Sequence, residues 1–385
     1  MNDAGQSGQQ RTLERGDLDR LIESLRERGY AVIGPVVRDG AIVHEPITST
    51  ADLPEGWSDE QEAATYRLHR HGGPALFDFT VGPSSWKRFL LPPRVQLWRV
   101  RQDGQSAEMN GGAEPRPPFA FFGVRSCELH AIAIQDRVFL GGAIQDPVYR
   151  ERREAAFIVV VQCGRAGRTC FCASMSTGPR ASAGFDLAVT EVVEDGRHYF
   201  VAESGSARGA ELLAMLPQLP SSTAEIGAAG RATTRALEQM GRRLQTKGLP
   251  ELLAASHEHP RWDDVARRCL TCGNCTMVCP TCFCTTVEDH LELGGAAAER
   301  VRRWDSCFTS EFSYIHGGSV RHSGRAKYRQ WLTHKLGTWH QQFGTSGCVG
   351  CGRCIAWCPA AIDLTEEVSA LSKSGRGKER DGGTT

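Results

Sequence analysis

CLTCGNCTMVCP at residues 269–280 and CVGCGRCIAWCP at residues 348–359 are two copies of one spacing, C-x2-C-x2-C-x3-C-P. In this pattern three closely spaced thiolates converge on three corners of an iron–sulfur cubane, and the fourth cysteine, ahead of the proline, reaches across to a second cluster. The proline turns the chain away, because it fixes φ and cannot continue a helix interior. The spacing therefore predicts two 4Fe-4S clusters, one on Cys269, Cys272, Cys275 and Cys358 and the other on Cys348, Cys351, Cys354 and Cys279. Zinc also takes four thiolates, but its sites are built from separated pairs of C-x2-C and not from four cysteines in one short run.

Outward from these runs, composition narrows the class. A chain of 385 residues with 40% hydrophobic content has room for two or three domains with real cores. Its formal net charge of zero gives no global attraction to nucleic acid or to a membrane surface. The N-terminus shows neither an apolar export segment nor a twin arginine, and no apolar stretch is long enough to span a bilayer. The expected address is cytoplasmic. Fifteen cysteines without a secretory signal read as metal or redox ligands and not as a disulfide framework.

Ahead of the first run the pattern is mixed. Leu18, Leu21, Ile22 and Leu25 recur at helical spacing up to Gly29. Strand-like runs are expected at 30–37, 41–47, 76–81 and 95–100, and the polar segment 101–118 reads as a surface loop. The apolar runs 119–124 and 157–161 bracket a helix around 128–140, which predicts an α/β element. Two further strands, 185–193 and 198–202, flank an Asp195-Gly196 turn suited to a hairpin. A helical stretch from 210 to about 253 closes an N-terminal domain assigned to residues 1–255. The fold class expected is α+β, with a mixed α/β domain followed by a ferredoxin-like dicluster domain, residues 256–370, that carries a long helical insert between its runs. Residues 371–385 are small and charged and read as a disordered tail.

The insert from 280 to 347 ends in a stretch with Arg321, Arg325, Lys327, Arg329 and Lys335 interleaved with Tyr314, Tyr328, Trp331 and Trp339. Such a pattern suits single-stranded nucleic acid. A docking face, positive charge beside anionic clusters, or a solvated helix with a buried aromatic stripe accounts for it better.

Seven cysteines lie outside the runs. Cys127 follows one central strand, and Cys163, Cys170 and Cys172 follow its neighbour. Two adjacent strand ends can bring four thiols together, and the two thiols of Cys170-Phe171-Cys172 face one side of an extended chain. This predicts a third cluster on Cys127, Cys163, Cys170 and Cys172, against the alternative of ordinary buried cysteines. Cys282, Cys284 and Cys307 remain open: they could hold a cluster completed by Asp305, His316 or an external ligand, provide alternative ligands, or pack as structural thiols. The scattered histidines read as ordinary polar or core residues. No G-x-G-x-x-G or G-x4-G-K-[ST] signature accompanies them.

The strings FFGVRSCELHAI, CFCASMSTGP, GFDLAVTE, CLTCGNCTMVCPTCFC and GCVGCGRCIAWCP resemble the family of dicluster iron–sulfur proteins that includes the beta subunit of cytosolic NiFe sulfhydrogenases and the corresponding subunit of anaerobic sulfite reductases. The similarity runs from about Leu18 to Leu364. It implies an electron-transfer subunit of an oxidoreductase complex, working between a partner that binds FAD and NAD(P) and a catalytic subunit. The preferred assembly is a NiFe hydrogenase, with sulfite reductase the alternative. Ser126 stands where the family usually has proline, and Ser176 where it usually has glycine. From other classes, a nucleic-acid-binding protein with structural clusters and an enzyme with an open iron at Cys282, Cys284 and Cys307 are the rivals.

Overall fold

The computed structural model describes residues 10–103, 106–111, 116–295 and 297–375. Its centre is an eight-stranded sheet built on the two apolar runs. The strand order is Leu219–Pro220, Arg11–Glu14, Arg197–Ser204, Leu187–Glu194, Phe157–Val161, Phe119–Val124, Ala31–Arg38, Ala41–Pro46. The four strands from Leu187–Glu194 to Ala31–Arg38 pair in parallel, and the outer pairs are antiparallel.

Side chains alternate across a strand, so a strand covered on both faces reads as a continuous apolar run. Phe122, Val159 and Val161 face one core with Leu18, Leu21, Ile22 and Leu25 of the helix Asp17–Glu27. Phe121, Val124, Ile158 and Val160 face the other, beneath Leu129 and Ile132 of the helix Ser126–Phe139. The Asp195-Gly196 hairpin forms with both residues at positive φ.

Several expectations are corrected. Residues 76–81 form no strand, because carboxylates take the backbone donors that a ladder would use. Glu191 accepts from the N–H groups of Leu76 and Phe77 at 2.7 and 2.9 Å, and Asp59 accepts from the N–H of Thr80 at 2.6 Å. The polar segment 101–118 contains the strand Ser106–Gly111, while residues 104–105 and 112–115 lie outside the described ones. The stretch from 210 to 253 is broken into Ala207–Ala214, Thr223–Gln239 and Leu249–Ala255, the middle helix opening on a Ser222–Glu225 capping box.

The insert is not wholly helical. It opens with the hairpin Thr285–Leu291 and Ala297–Trp304, which joins Arg94–Asp103 and Ser106–Gly111 in a four-stranded sheet. Helices Gly324–Thr333 and Trp339–Phe343 follow, linked by a π-helical turn, His334–Thr338. This sheet ties chain on both sides of residue 255. The last helix, Leu364–Gly375, buries Leu371 and so extends into the segment expected to be disordered; residues 376–385 lie outside the described ones. Among the described residues no helix is long and apolar enough to cross a membrane.

Candidate metal centres

The two runs fold as near copies. Each turns through a positive φ between its first two cysteines, at Thr271 (51°) and Gly350 (64°), and again at Gly273 (74°) and Gly352 (75°). A one-turn helix then carries the third cysteine, Asn274–Met277 in one run and Arg353–Ala356 in the other. Backbone N–H groups point at the thiols, from Thr271 to Cys269, Gly350 to Cys348 and Ile362 to Cys358, each at 3.4 Å.

The structure gathers the sequence-predicted cysteines into groups. Cys269, Cys272, Cys275 and Cys358 line one cavity with Phe308, Tyr328 and Trp331. Cys279 lies within electrostatic reach of Cys348, Cys351 and Cys354, and its Sγ accepts from Lys335 Nζ at 3.2 Å. Cys127, Cys163, Cys170 and Cys172 line a third cavity with Arg125 and Arg165. Their placement follows from topology: Cys127 sits in the first turn of the helix after one parallel strand and Cys163 just beyond the next, at the carboxyl ends of the strands where open α/β sheets bind ligands.

The cavities suit a cluster. Tyr328 Oη and Trp331 Nε1, lining the first, and Arg353 Nη1, two residues from Cys351, are buried donors without partners, as groups that face cluster sulfurs would be. Among the described residues no three His, Cys, Asp or Glu side chains converge closely enough for a single metal ion. A cubane places four irons and four sulfides between its thiolates, so its ligands stand farther apart. As free thiols, Cys170 and Cys348 are pushed by burial up to about 12, so ligation must displace their protons.

The second run joins the other two groups. Cys351 lines the third cavity and Cys354 the first. Phe171 N–H donates to Gly350 O at 2.9 Å, and Thr177 Oγ1 to Val349 O at 2.7 Å. Arg353, fully buried, donates through Nη2 to Glu128 Oε1 at 2.5 Å and through Nε to Gly82 O at 2.8 Å. A Cβ on Gly350 would lie 2.7 Å from the backbone of Cys172, in a φ region that side chains avoid. Gly350→Ala is therefore expected to cost on the order of 3 kcal/mol in anaerobic urea unfolding. Equal stability of the two proteins would show that this contact is soft.

Sequence reasoning missed Arg125, Glu128 and Arg353 as parts of the site. Glu128 and Arg353 sit beside or between cysteines of the quoted strings, and a charge so close to ligands was the available signal. The two family departures are linked through Thr177: Ser126 occupies the first helical position, where proline is equally suited, and its Oγ donates to Thr177 O at 2.9 Å, next to Ser176 at φ 56°. Asp305 and His316 do not line the cavity of Cys282, Cys284 and Cys307. Of the aromatic stripe, Tyr328, Trp331 and Trp339 are buried in the core and Tyr314 is exposed, while Arg325 and Arg329 pair with Glu258.

A chain that interleaves two four-cysteine runs over a mixed sheet is a dicluster iron–sulfur protein, and residues 268–362 match the family model of the 4Fe-4S dicluster domain. The chain is also similar to sulfhydrogenase 2 subunit beta of Pyrococcus furiosus, with 33% identity over 281 residues, 72% of this chain and 79% of the relative. It belongs to that family of iron–sulfur electron-transfer subunits. No solved structure matches it significantly.

Proposed function

We propose that this chain is the relay subunit of a cytoplasmic NiFe hydrogenase complex, carrying electrons between a partner that binds FAD and NAD(P) and the catalytic subunit. The observation that supports this best is the position of the second run, whose Cys351 and Cys354 reach the cavities on either side. Three thiol groups so arranged form a continuous path. Clusters bound there supply reversible one-electron storage, at potentials set by hydrogen bonds, charge and solvent exposure.

The chain's own residues ligate, insulate and bias. Cys269, Cys272, Cys275 and Cys358 hold the first cluster; Cys279, Cys348, Cys351 and Cys354 the second; Cys127, Cys163, Cys170 and Cys172 the third. Phe308, Tyr328 and Trp331 keep water from the first site. Arg125 braces the third, its Nη2 donating to Phe77 O and Phe79 O at 3.0 Å each. The exposed Cys272 and Leu270 mark the end of the path nearest solvent.

Anaerobic purification of the full chain, with iron and sulfide analysis and an EPR-monitored redox titration, tests the reading. These three sets are expected to contribute about twelve irons per chain and three reversible signals. Cys170→Ser with Cys172→Ser should remove one signal and leave the other two. Absence of any reversible reduction would overturn the relay.

A further inference from the structure

Three thiols fall outside these sets, although Cys282 lies beside Cys279: Lys335 Nζ is 3.6 Å from Cys282 Sγ and 3.2 Å from Cys279 Sγ. The insert hairpin pairs Thr285 with Trp304, and Asp305 N–H donates to Cys284 O at 2.9 Å, so the hairpin's open end brings Cys284 beside Cys307 although they are distant in sequence. The two thiols are near neighbours, each within electrostatic reach of the other. Cys282 precedes Cys284 by two residues in chain without helix or strand pairing. All three are half-buried and line one cavity with Arg321, His334 and Lys335, which Cys279 does not line. Their loop is pinned on a cation: Lys87 Nζ donates to Cys282 O at 3.1 Å and lies 4.0 Å from the centre of the Trp304 ring.

We propose that Cys282, Cys284 and Cys307 hold a further 4Fe-4S cluster, whose fourth iron faces this cavity and takes a small anionic ligand from solution. Three thiolates supply three corners, as the first three cysteines of each run do. Among the described residues no carboxylate lines the cavity. Asp305 is occupied by Ser306 N–H at 2.7 Å and Thr309 Oγ1 at 2.8 Å, outside the cavity. Arg321 and Lys335 give the cavity a positive wall that favours an anion at the open corner. Cys279 is within electrostatic reach of Cys348, Cys351 and Cys354 and does not line this cavity, so the proposal leaves it with the second cluster and gives Cys282, which does line it, to this one.

The test uses the full chain purified with its clusters under anaerobic conditions. Cys284→Ser with Cys307→Ser is expected to lower iron by about four per chain while the three relay signals persist. Should that variant fail to fold, wild type is treated with iodoacetamide and mapped by peptide mass spectrometry. Cys282, Cys284 and Cys307 are expected to resist alkylation until iron is chelated, and cyanide is expected to shift one EPR signal that does not belong to the relay. Unchanged iron in the double variant overturns the proposal. So does alkylation of these three thiols in a chain whose other cysteines are protected, or alkylation of Cys284 and Cys307 only after a thiol reductant has opened a bond between them. Alkylation confined to Cys127, Cys163, Cys170 and Cys172 would instead fail the relay reading and leave this site standing.

Discussion

Glu128→Ala is expected to destabilise the protein by about 3 to 5 kcal/mol, because it leaves the Arg353 guanidinium buried without its counter-charge. Neither side chain reaches solvent: Glu128 is 2% exposed and Arg353 0%. The carboxylate also accepts from Trp86 Nε1 at 3.0 Å and from the Arg125 N–H at 3.2 Å, so its removal strands further buried donors. Burial alone does not make the pair stabilising relative to a well-packed apolar pair. The double variant Glu128→Leu with Arg353→Met should therefore recover much of the loss, giving a large coupling energy in a double-mutant cycle of anaerobic urea unfolding. Additive losses would mean that Arg353 acts through Gly82 O and Ser84 O instead, which it also contacts at 2.8 and 3.0 Å. The pair matters to function because Glu128 follows Cys127 and Arg353 stands between Cys351 and Cys354. It therefore fixes the second run against the third group.

Which parts of this arrangement could be read from residues alone follows from how local their causes are. The two runs carry their own loop geometry, so the spacing of their cysteines announces the turns that Thr271, Gly273, Gly350 and Gly352 make. The strands Phe119–Val124 and Phe157–Val161 are legible because both faces are covered, and Cys127 and Cys163 follow directly at their ends. The segment 76–81 has the same apolar look, but its donors go to Glu191 and Asp59, which are remote in sequence or separated by a turn. The hairpin Thr285–Leu291 with Ala297–Trp304 is hidden for the opposite reason. It lacks a buried apolar stripe and is dressed with cross-strand ion pairs such as Arg300–Asp289 and Arg303–Glu288. Missing that hairpin meant missing what brings Cys307 to Cys284. The basic stretch was visible, but its division into paired surface arginines and one lysine aimed at a thiol depends on tertiary packing.

That lysine distinguishes two otherwise matching sites. Lys335 is 5% exposed, and its Nζ donates to Cys279 Sγ at 3.2 Å, to Thr281 Oγ1 at 3.1 Å and to Gly347 O at 3.1 Å. At the corresponding place in the other set, Cys358 accepts from the Ile362 N–H at 3.4 Å, and among the described residues no lysine or arginine donates to it. Reduction adds negative charge to a cluster, so a fixed ammonium stabilises the reduced form and raises the potential. At about 7 Å from the cluster centre and an effective dielectric of about 20, the interaction amounts to roughly 2.4 kcal/mol, on the order of 100 mV for one electron. Lys335→Met is thus expected to lower the midpoint potential of the Cys279 cluster by about that much and to leave the Cys269 cluster within roughly 20 mV, since charge effects weaken with distance. The measurement is an EPR-monitored titration of both proteins. On the proposed relay, that shift would make a cluster held by Cys279 the higher-potential member of the pair and the resting place for the first electron. Equal potentials in the two proteins would make Lys335 a purely structural clasp between Cys279 and Gly347, and the splitting of the two clusters would then have to come from Arg353 and the backbone donors.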